Sequence, residues 1–154
     1  MYRSLGLYAG TGLLLTISAV GAERGVKTEL IGGTLPDIVA RSEARLDFSG
    51  GDEMVFHRAA GEIRVVYQKV NTLEYGQTVS RRYAAAVLLS PLLLLSKARK
   101  HFVTVGYVDA EGRQQAVVFR VEKGDIRSVL VGLEARTGRR VEYQDEDARK
   151  AGKG

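Results

Sequence analysis

The chain of 154 residues contains no cysteine. Disulfides, thiolate nucleophiles and thiolate metal sites are therefore excluded. Anchoring as a lipoprotein is excluded as well, because it requires an acylated cysteine. The remaining composition, with 45% hydrophobic and 27% charged residues, is ordinary for a folded protein, and the length corresponds to one domain.

Histidine is also scarce, and the usual catalytic patterns are missing. His57 and His101 are too far apart for the short spacings of a histidine metal site. Ser90 and Ser96 lack the glycines that surround a nucleophilic serine on a sharp turn. We therefore predict no catalytic residues, no metal ligands, no cofactor and no enzymatic activity.

The N-terminus has the organisation of a secretory signal. Arg3 precedes an uncharged run from Leu5 to Val20, and small residues up to Ala22 are followed at once by Glu23. The 19 residues of 4–22 are also long enough for an uncleaved membrane anchor. The segment 1–22 is thus a signal peptide or an anchor, and the chain is expected in the periplasm or tethered outside the cytoplasmic membrane.

The mature chain consists mostly of short segments in which apolar and polar residues alternate. This period of two is typical of half-buried strands, and turn-forming residues separate the segments. The predicted strands are 44–48, 53–58, 62–68, 71–77, 101–108 and 114–121, with residues 141–144 as a further short addition.

The period then changes to that of a helix. Four apolar residues follow the spacing of one helical stripe, namely Ile126, Val129, Leu130 and Leu133. Asp125 is placed to cap the start of this helix, and Gly138 to end it. The pattern predicts a helix over 125–137.

Together these elements predict a mainly β fold with one C-terminal helix. Five to seven antiparallel strands favour a small sheet or partly open barrel whose open end the helix covers. This domain spans 44–144, after a hydrophobic targeting helix in 1–22 and an irregular lead-in over 23–43. Residues 145–154 are expected to form a frayed, charged tail.

The order of elements resembles the bacterial pleckstrin-homology-like (PH-like) fold. Ile63-Arg64-Val65-Val66-Tyr67, followed by Val70 and Leu73, resembles the "I-x-x-Y…I-x-x-L" segment of such domains. Three further segments resemble an uncharacterised family of exported bacterial proteins: Leu73 to Gln77, Leu95 to His101 and Leu133 to Gly138. The resemblance covers about residues 30–150. It implies a PH-like fold, but no established activity and no functional residues.

The net charge of +5 comes from a single region. Between Gly76 and Val108 there are five basic residues and no acidic ones, whereas the rest of the chain is balanced. These residues bracket the uncharged run 83–95, YAAAVLLSPLLLL. The five are Arg81, Arg82, Lys97, Arg99 and Lys100.

The bracketed run has several interpretations. Its 13 residues are too few to span a membrane, and Pro91 disfavours a straight helix. It is a buried core element, a membrane-dipping element or a protein-docking patch. A membrane-dipping element would place its leucines at the acyl boundary and its cations among anionic headgroups. The contact residues would then be Arg81, Arg82, Leu88, Leu89, Leu92, Leu93, Leu94, Lys97, Arg99 and Lys100.

Nucleic acid is not expected as a partner, because the basic residues surround leucines rather than aromatic side chains on which bases could stack. The sequence favours a non-catalytic binding or scaffolding module of the cell envelope. Its partner is an anionic membrane surface or, alternatively, an envelope protein bound by a sheet edge or groove. The oligomeric state stays open.

The N-terminal pattern predicts processing near Glu23 and recovery of the chain outside the cytoplasm. N-terminal sequencing of native protein from fractionated cells measures this directly. An intact Met1 in the membrane fraction would indicate the retained anchor. An intact Met1 in the soluble cytosolic fraction would contradict export.

Overall fold

A computed structural model of the chain describes residues 24–79 and 100–153. Within these ranges, eight strands form one sheet and two helices follow. The strands are β1 (Val26–Gly33), β2 (Ser42–Asp47), β3 (Glu53–Arg58), β4 (Gly61–Val66), β5 (Val70–Gly76), β6 (His101–Val108), β7 (Gln114–Val121) and β8 (Glu142–Tyr143). The helices are α1 (Ile126–Thr137) and α2 (Glu146–Lys153). The predicted mainly β class with a C-terminal helix is confirmed, and the expected helix in 1–22 lies outside the described residues.

The strand order β4-β3-β2-β1-β7-β6-β5-β8 requires a strongly curled sheet. Six strand spacings separate β4 from β5, which would be about 29 Å in a flat sheet. Only the 3₁₀ turn Tyr67–Lys69 connects these two strands, and so short a connection spans no more than about 15 Å. The sheet must therefore curl until the two strands approach each other.

The curl wraps one face of the sheet around a single core. The rings of Phe56 on β3 and Phe119 on β7 lie 5.1 Å apart, edge to face, although three strand spacings separate β3 from β7. The alternation seen in the sequence assigned the inner face correctly. Among the fully buried inner side chains are Leu46, Met54, Phe56, Val65, Val105, Val117 and Phe119.

Helix α1 closes this core, as its apolar stripe predicted. Val129 and Leu133 are completely buried. Gly138 adopts the left-handed conformation, with φ of 68°, and its N–H donates to the carbonyl of Glu134 at 2.9 Å. Asp125 stands at the N-cap, but its side chain makes no capping bond, contrary to the prediction. Its backbone is already helical, with φ of −100° and ψ of −12°, whereas a capping residue is extended.

The prediction of an irregular lead-in over 23–43 is wrong. Val26–Gly33 forms β1, which pairs with both β2 and β7 and thus joins the two halves of the sheet. The strand was missed because its alternation breaks down. From Leu30 onward it is buried on both faces, and the register shifts at Ile31.

The prediction of a frayed tail over 145–154 is also wrong. Residues Glu146–Lys153 form α2, and Ala148 is completely buried against the core. The carboxylate of Asp145 accepts the N–H of Ala148 at 2.7 Å, which caps the helix start. The sequence pattern did not predict this helix, because most of its residues are charged and its buried residues, Ala148 and Gly152, are small.

Replacing Leu130 by alanine should lower the free energy of unfolding by about 2–5 kcal/mol, the usual cost for a buried leucine. Leu130 is 2% exposed within the core cluster. The matched control is Val131→Ala on the same helix, where the side chain is 58% exposed and the expected change is below about 0.5 kcal/mol. Chemical denaturation measures both variants, and equal midpoints would contradict the packing of α1.

Candidate functional site

Of the ten predicted contact residues, Lys100 alone belongs to the described part of the chain. It is half-buried and immediately precedes β6. The other nine lie outside the described residues, as does the apolar run 83–95. The structure nevertheless fixes where the chain leaves the sheet, at Gly76, and where it returns, at His101.

Both points lie at one end of the sheet. Gly76 of β5 and Phe102 of β6 are register partners, so the chain leaves and re-enters the sheet side by side. Val121 of β7 is the register partner of both His101 and Thr28, and hence β1 starts at this same end. We call it the entry end; it comprises residues 24–28, 76–79, 100–102 and 121–123.

The entry end carries several cations. Arg24, Lys27 and Lys123 are exposed there, and Lys100 is half-buried. Three acidic residues on the neighbouring strand segments, Glu29, Glu43 and Glu122, are engaged in ion pairs. The shortest joins Glu29 of β1 and Arg120 of β7 at 2.8 Å.

An ionic cleft of about 530 Å³ lies beside the entry end, on the outer face of β1, β2 and β7. Glu29 lies between Arg120 and Arg41, which approaches to 3.6 Å. Lys27 pairs with Glu43 at 3.5 Å. The positive and negative side chains of the lining therefore neutralise one another, and the cleft has no net charge that would attract a charged ligand.

An apolar groove of about 620 Å³ separates α1 from the ends of β1 and β2. Gly132 on α1 allows the ring of Phe48 to lie close, since a Cβ atom there would be 2.5 Å from the ring. Arg24, Asp47 and Arg136 contribute the charged groups of the lining. The other apolar lining residues are Val26, Leu46 and Ala135. Such a groove can accept a short apolar segment of another chain.

Hydrogen bonds from Ser49 stabilise the ionised carboxylate of Asp47 in this groove. The hydroxyl and the N–H of Ser49 donate to its carboxylate at 2.7 and 2.9 Å, which lowers the pKa of Asp47. Arg136 donates to the carbonyl of Ser49 at 3.2 Å. Sequence reasoning missed this groove because it depends on Gly132 and Phe48, which are far apart in the chain.

A pair of rings lies just inside the entry end, formed by the buried Tyr75 and the half-buried His101. The hydroxyl of Tyr75 and the Nδ1 atom of His101 are 2.5 Å apart, and the two rings stack. Burial, aided by the nearby Lys123, lowers the pKa of His101. Burial and the neighbouring Tyr143 raise the pKa of Tyr75 to about 12. Near neutral pH, the tyrosine therefore donates to a neutral imidazole.

The other histidine has an ordinary surface role. His57 contacts the carboxylate of Glu62 at 2.9 Å, and both side chains are 40% exposed. Across the described ranges, no group of three or more histidine, aspartate or glutamate side chains is arranged to hold a metal ion. None of the helices in residues 24–79 and 100–153 is long and apolar enough to cross a bilayer.

The Tyr75–His101 pair should make stability depend on pH. The unfolded chain protonates His101 near pH 6.5, whereas the folded chain does so only at lower pH. The unfolded state thus binds more protons, and the melting temperature should fall as the pH decreases from about 7 to 5.5. His101→Gln should reduce this slope, while His57→Gln should retain it. The same slope in wild type and His101→Gln would contradict the assignment.

A scan against protein-family models gave no match for this chain, nor did a search of curated proteins. The resemblance to the PH-like family therefore stays a prediction. The function has to be inferred from the entry end and the groove.

Proposed function

We propose that this chain is a non-catalytic binding module of the bacterial cell envelope, exported and in contact with an anionic membrane surface through residues 81–101. One observation carries the proposal. The N-terminal apolar segment and the basic-flanked segment attach to the same end of the sheet, and in the sequence the whole charge excess of the chain lies between the end of β5 and the start of β6.

The pairing of β5 with β6 places side by side the two strand ends from which the basic flanks continue in the sequence. Arg81 and Arg82 follow Val79 closely, and Lys97 and Arg99 lead into Lys100. Each basic residue near an anionic surface contributes about 1 kcal/mol, so a group of five supports binding that weakens as salt is added. The described remainder of the entry end adds the exposed cations Arg24 and Lys123.

The position of the N-terminal segment also supports an orientation in which the entry end faces the membrane. Only a few residues separate Ala22 from Val26, where β1 begins, and they span at most about 15 Å. A retained anchor would therefore hold the entry end close to the bilayer. After cleavage, the basic residues alone would provide the attraction.

We also assign the fold to the PH-like type. Seven antiparallel strands in two groups, joined between β1 and β7 and followed by α1, support this assignment. The short strand β8 and helix α2 are additions at the C-terminal end.

A second candidate function, binding of an envelope protein, is favoured by the groove between α1 and β2. Its lining combines apolar side chains with the charged Arg24, Asp47 and Arg136, which suits a short apolar segment of a partner. In that case the chain would ignore lipid vesicles. Ala135→Glu would then abolish partner binding, because it places a charge in the groove.

Neutralising the five basic residues should weaken binding to anionic vesicles by at least about 100-fold at low salt, since each contributes about 1 kcal/mol. The experiment compares the mature chain, from Glu23 onward, with the variant in a vesicle-sedimentation assay. The replaced residues are Arg81, Arg82, Lys97, Arg99 and Lys100, each changed to glutamine.

A matched control removes three charges from the opposite end, through Lys69→Gln, Arg113→Gln and Arg140→Gln. It is compared with Lys97→Gln, Arg99→Gln and Lys100→Gln. We expect at least tenfold weaker binding in the entry-end variant and less than threefold in the control. If wild-type protein ignores anionic vesicles even at low salt, the membrane proposal fails and the protein-binding function replaces it.

A further inference from the structure

The apolar surface of the groove beside α1 extends further along this helix. Ala135 lines the groove, and Val131 precedes it by four residues, so the two side chains are neighbours on one face of α1. Val131 is 58% exposed, although it is a large apolar residue. Val26 and Phe48 pack against the core and are themselves only partly buried. The fold therefore leaves apolar side chains exposed on both walls of the groove.

The form of the groove favours a peptide over a compact ligand. Its volume of about 620 Å³ lies in the range of sites for drug-sized molecules, which suits a few residues of peptide. The groove is open to solvent along one side. A compact apolar ligand would leave much of its surface in water there. A peptide, in contrast, places some side chains in such a groove as anchors and keeps its other groups in solvent.

The charged side chains of the groove carry an excess of positive charge. Arg24 and Arg136 line it together with a single acidic residue, Asp47. The carboxylate of Asp47 already accepts two hydrogen bonds from Ser49, and the nearby Arg24 stabilises its negative charge. The uncompensated positive charge therefore lies mainly at Arg136. The ionic cleft on β1, β2 and β7 differs in this respect, since its lining is balanced.

Arg136 is held at the groove and still has donors to offer. Its Nη2 atom donates to the carbonyl of Ser49 at 3.2 Å, which ties the last turn of α1 to the end of β2. Within residues 24–79 and 100–153, this is its one hydrogen bond, whereas a guanidinium carries five N–H donors. The remaining donors suit a carboxylate, with which arginine forms short, charge-assisted bonds in a bidentate geometry.

We infer that the groove binds an acidic–apolar segment of an envelope protein. A carboxylate of this segment pairs with Arg136, and a large apolar side chain beside it lies on Phe48 and Ala135. Such a segment would be the partner of the second candidate function, on which this inference rests. The carboxylate sets orientation and selectivity, because a basic–apolar segment would bring its cation close to Arg136.

Selection from a library of random heptapeptides displayed on phage tests this chemistry. The full chain serves as the target, and enriched peptides are synthesised with a fluorescent label so that anisotropy gives their affinities. We expect the enriched peptides to combine Asp or Glu with a neighbouring Leu, Ile, Phe or Trp. Their affinity should fall as salt is added, because the ion pair lies at the surface.

Substitutions on α1 locate the bound peptide. Arg136→Gln should weaken binding at least about tenfold, the usual loss when a charge-assisted bond is removed. Ala135→Glu should abolish binding, because it places a carboxylate among the apolar side chains. The matched control is Arg127→Gln on the same helix, since Arg127 is exposed and does not line the groove. Its affinity should change less than about twofold, and chemical denaturation verifies that each variant is folded.

A charge reversal separates a direct contact from a structural role of Arg136. Arg136→Glu should reject the acidic peptide and accept a version in which lysine replaces its acidic residue. A preference that reverses in this way requires the two charges to meet, because a distorted groove would reject both peptides. If the variant rejects both peptides although it is folded, the pairing with Arg136 is wrong.

The remaining outcomes distinguish this inference from the function on which it rests. Enriched peptides without acidic residues that Ala135→Glu still rejects would overturn the inference and leave protein binding at the groove intact. If the wild-type chain enriches no peptide, the inference and the second candidate function fail together. Acidic peptides whose binding Ala135→Glu does not affect would lie elsewhere on the molecule, which also overturns the inference.

Discussion

The curl of the sheet is the constraint on which the rest of this structure depends. A short turn joins β4 to β5, although six strand spacings separate them along the sheet. The chain can satisfy both conditions only by wrapping the sheet around its apolar face. That wrapping brings Phe56 to Phe119 and leaves one open end for α1 to cover. The antiparallel pairing of β1, β7, β6 and β5 separately places the end of β5 and the start of β1 at one end of the sheet.

Sequence patterns revealed strands β2 to β7 and helix α1. Strands β2, β3 and β4 alternate cleanly because their outer sides meet solvent, and the stripe of α1 is regular for the same reason. Strands β6 and β7 are buried on both faces, but their β-branched and aromatic residues still indicated strands. The pattern failed at β1, where a bulge interrupts the period and the strand ends in two glycines, and at α2, which is held by small residues instead of an apolar stripe. The groove could not be predicted at all, because it requires Gly132 and Phe48 to meet in space.

Charge is distributed on this molecule in two different ways. On the outer face of β1, β2 and β7, acids and bases alternate across neighbouring strands and neutralise each other at short distance. Such pairs fix side chains but produce little field beyond about one Debye length. The five cations of 81–100, in contrast, have no acidic neighbours in sequence that would offset their charge. If they bind an anionic surface as proposed, that surface would orient the molecule as well as attract it.

The brief pairing of β8 with β5 also protects the protein from self-association. An unpaired strand edge offers its N–H and carbonyl groups to any other chain, and β5 would be such an edge without Glu142–Tyr143 beside it. The N–H of Gln144 donates to the carbonyl of Tyr75 at 3.1 Å and extends this protection. At the other edge, β4 presents Glu62 and Arg64, whose charges discourage pairing. Residues 142–144 thus cover the C-terminal part of the β5 edge, where another chain could otherwise pair and start a fibrous aggregate.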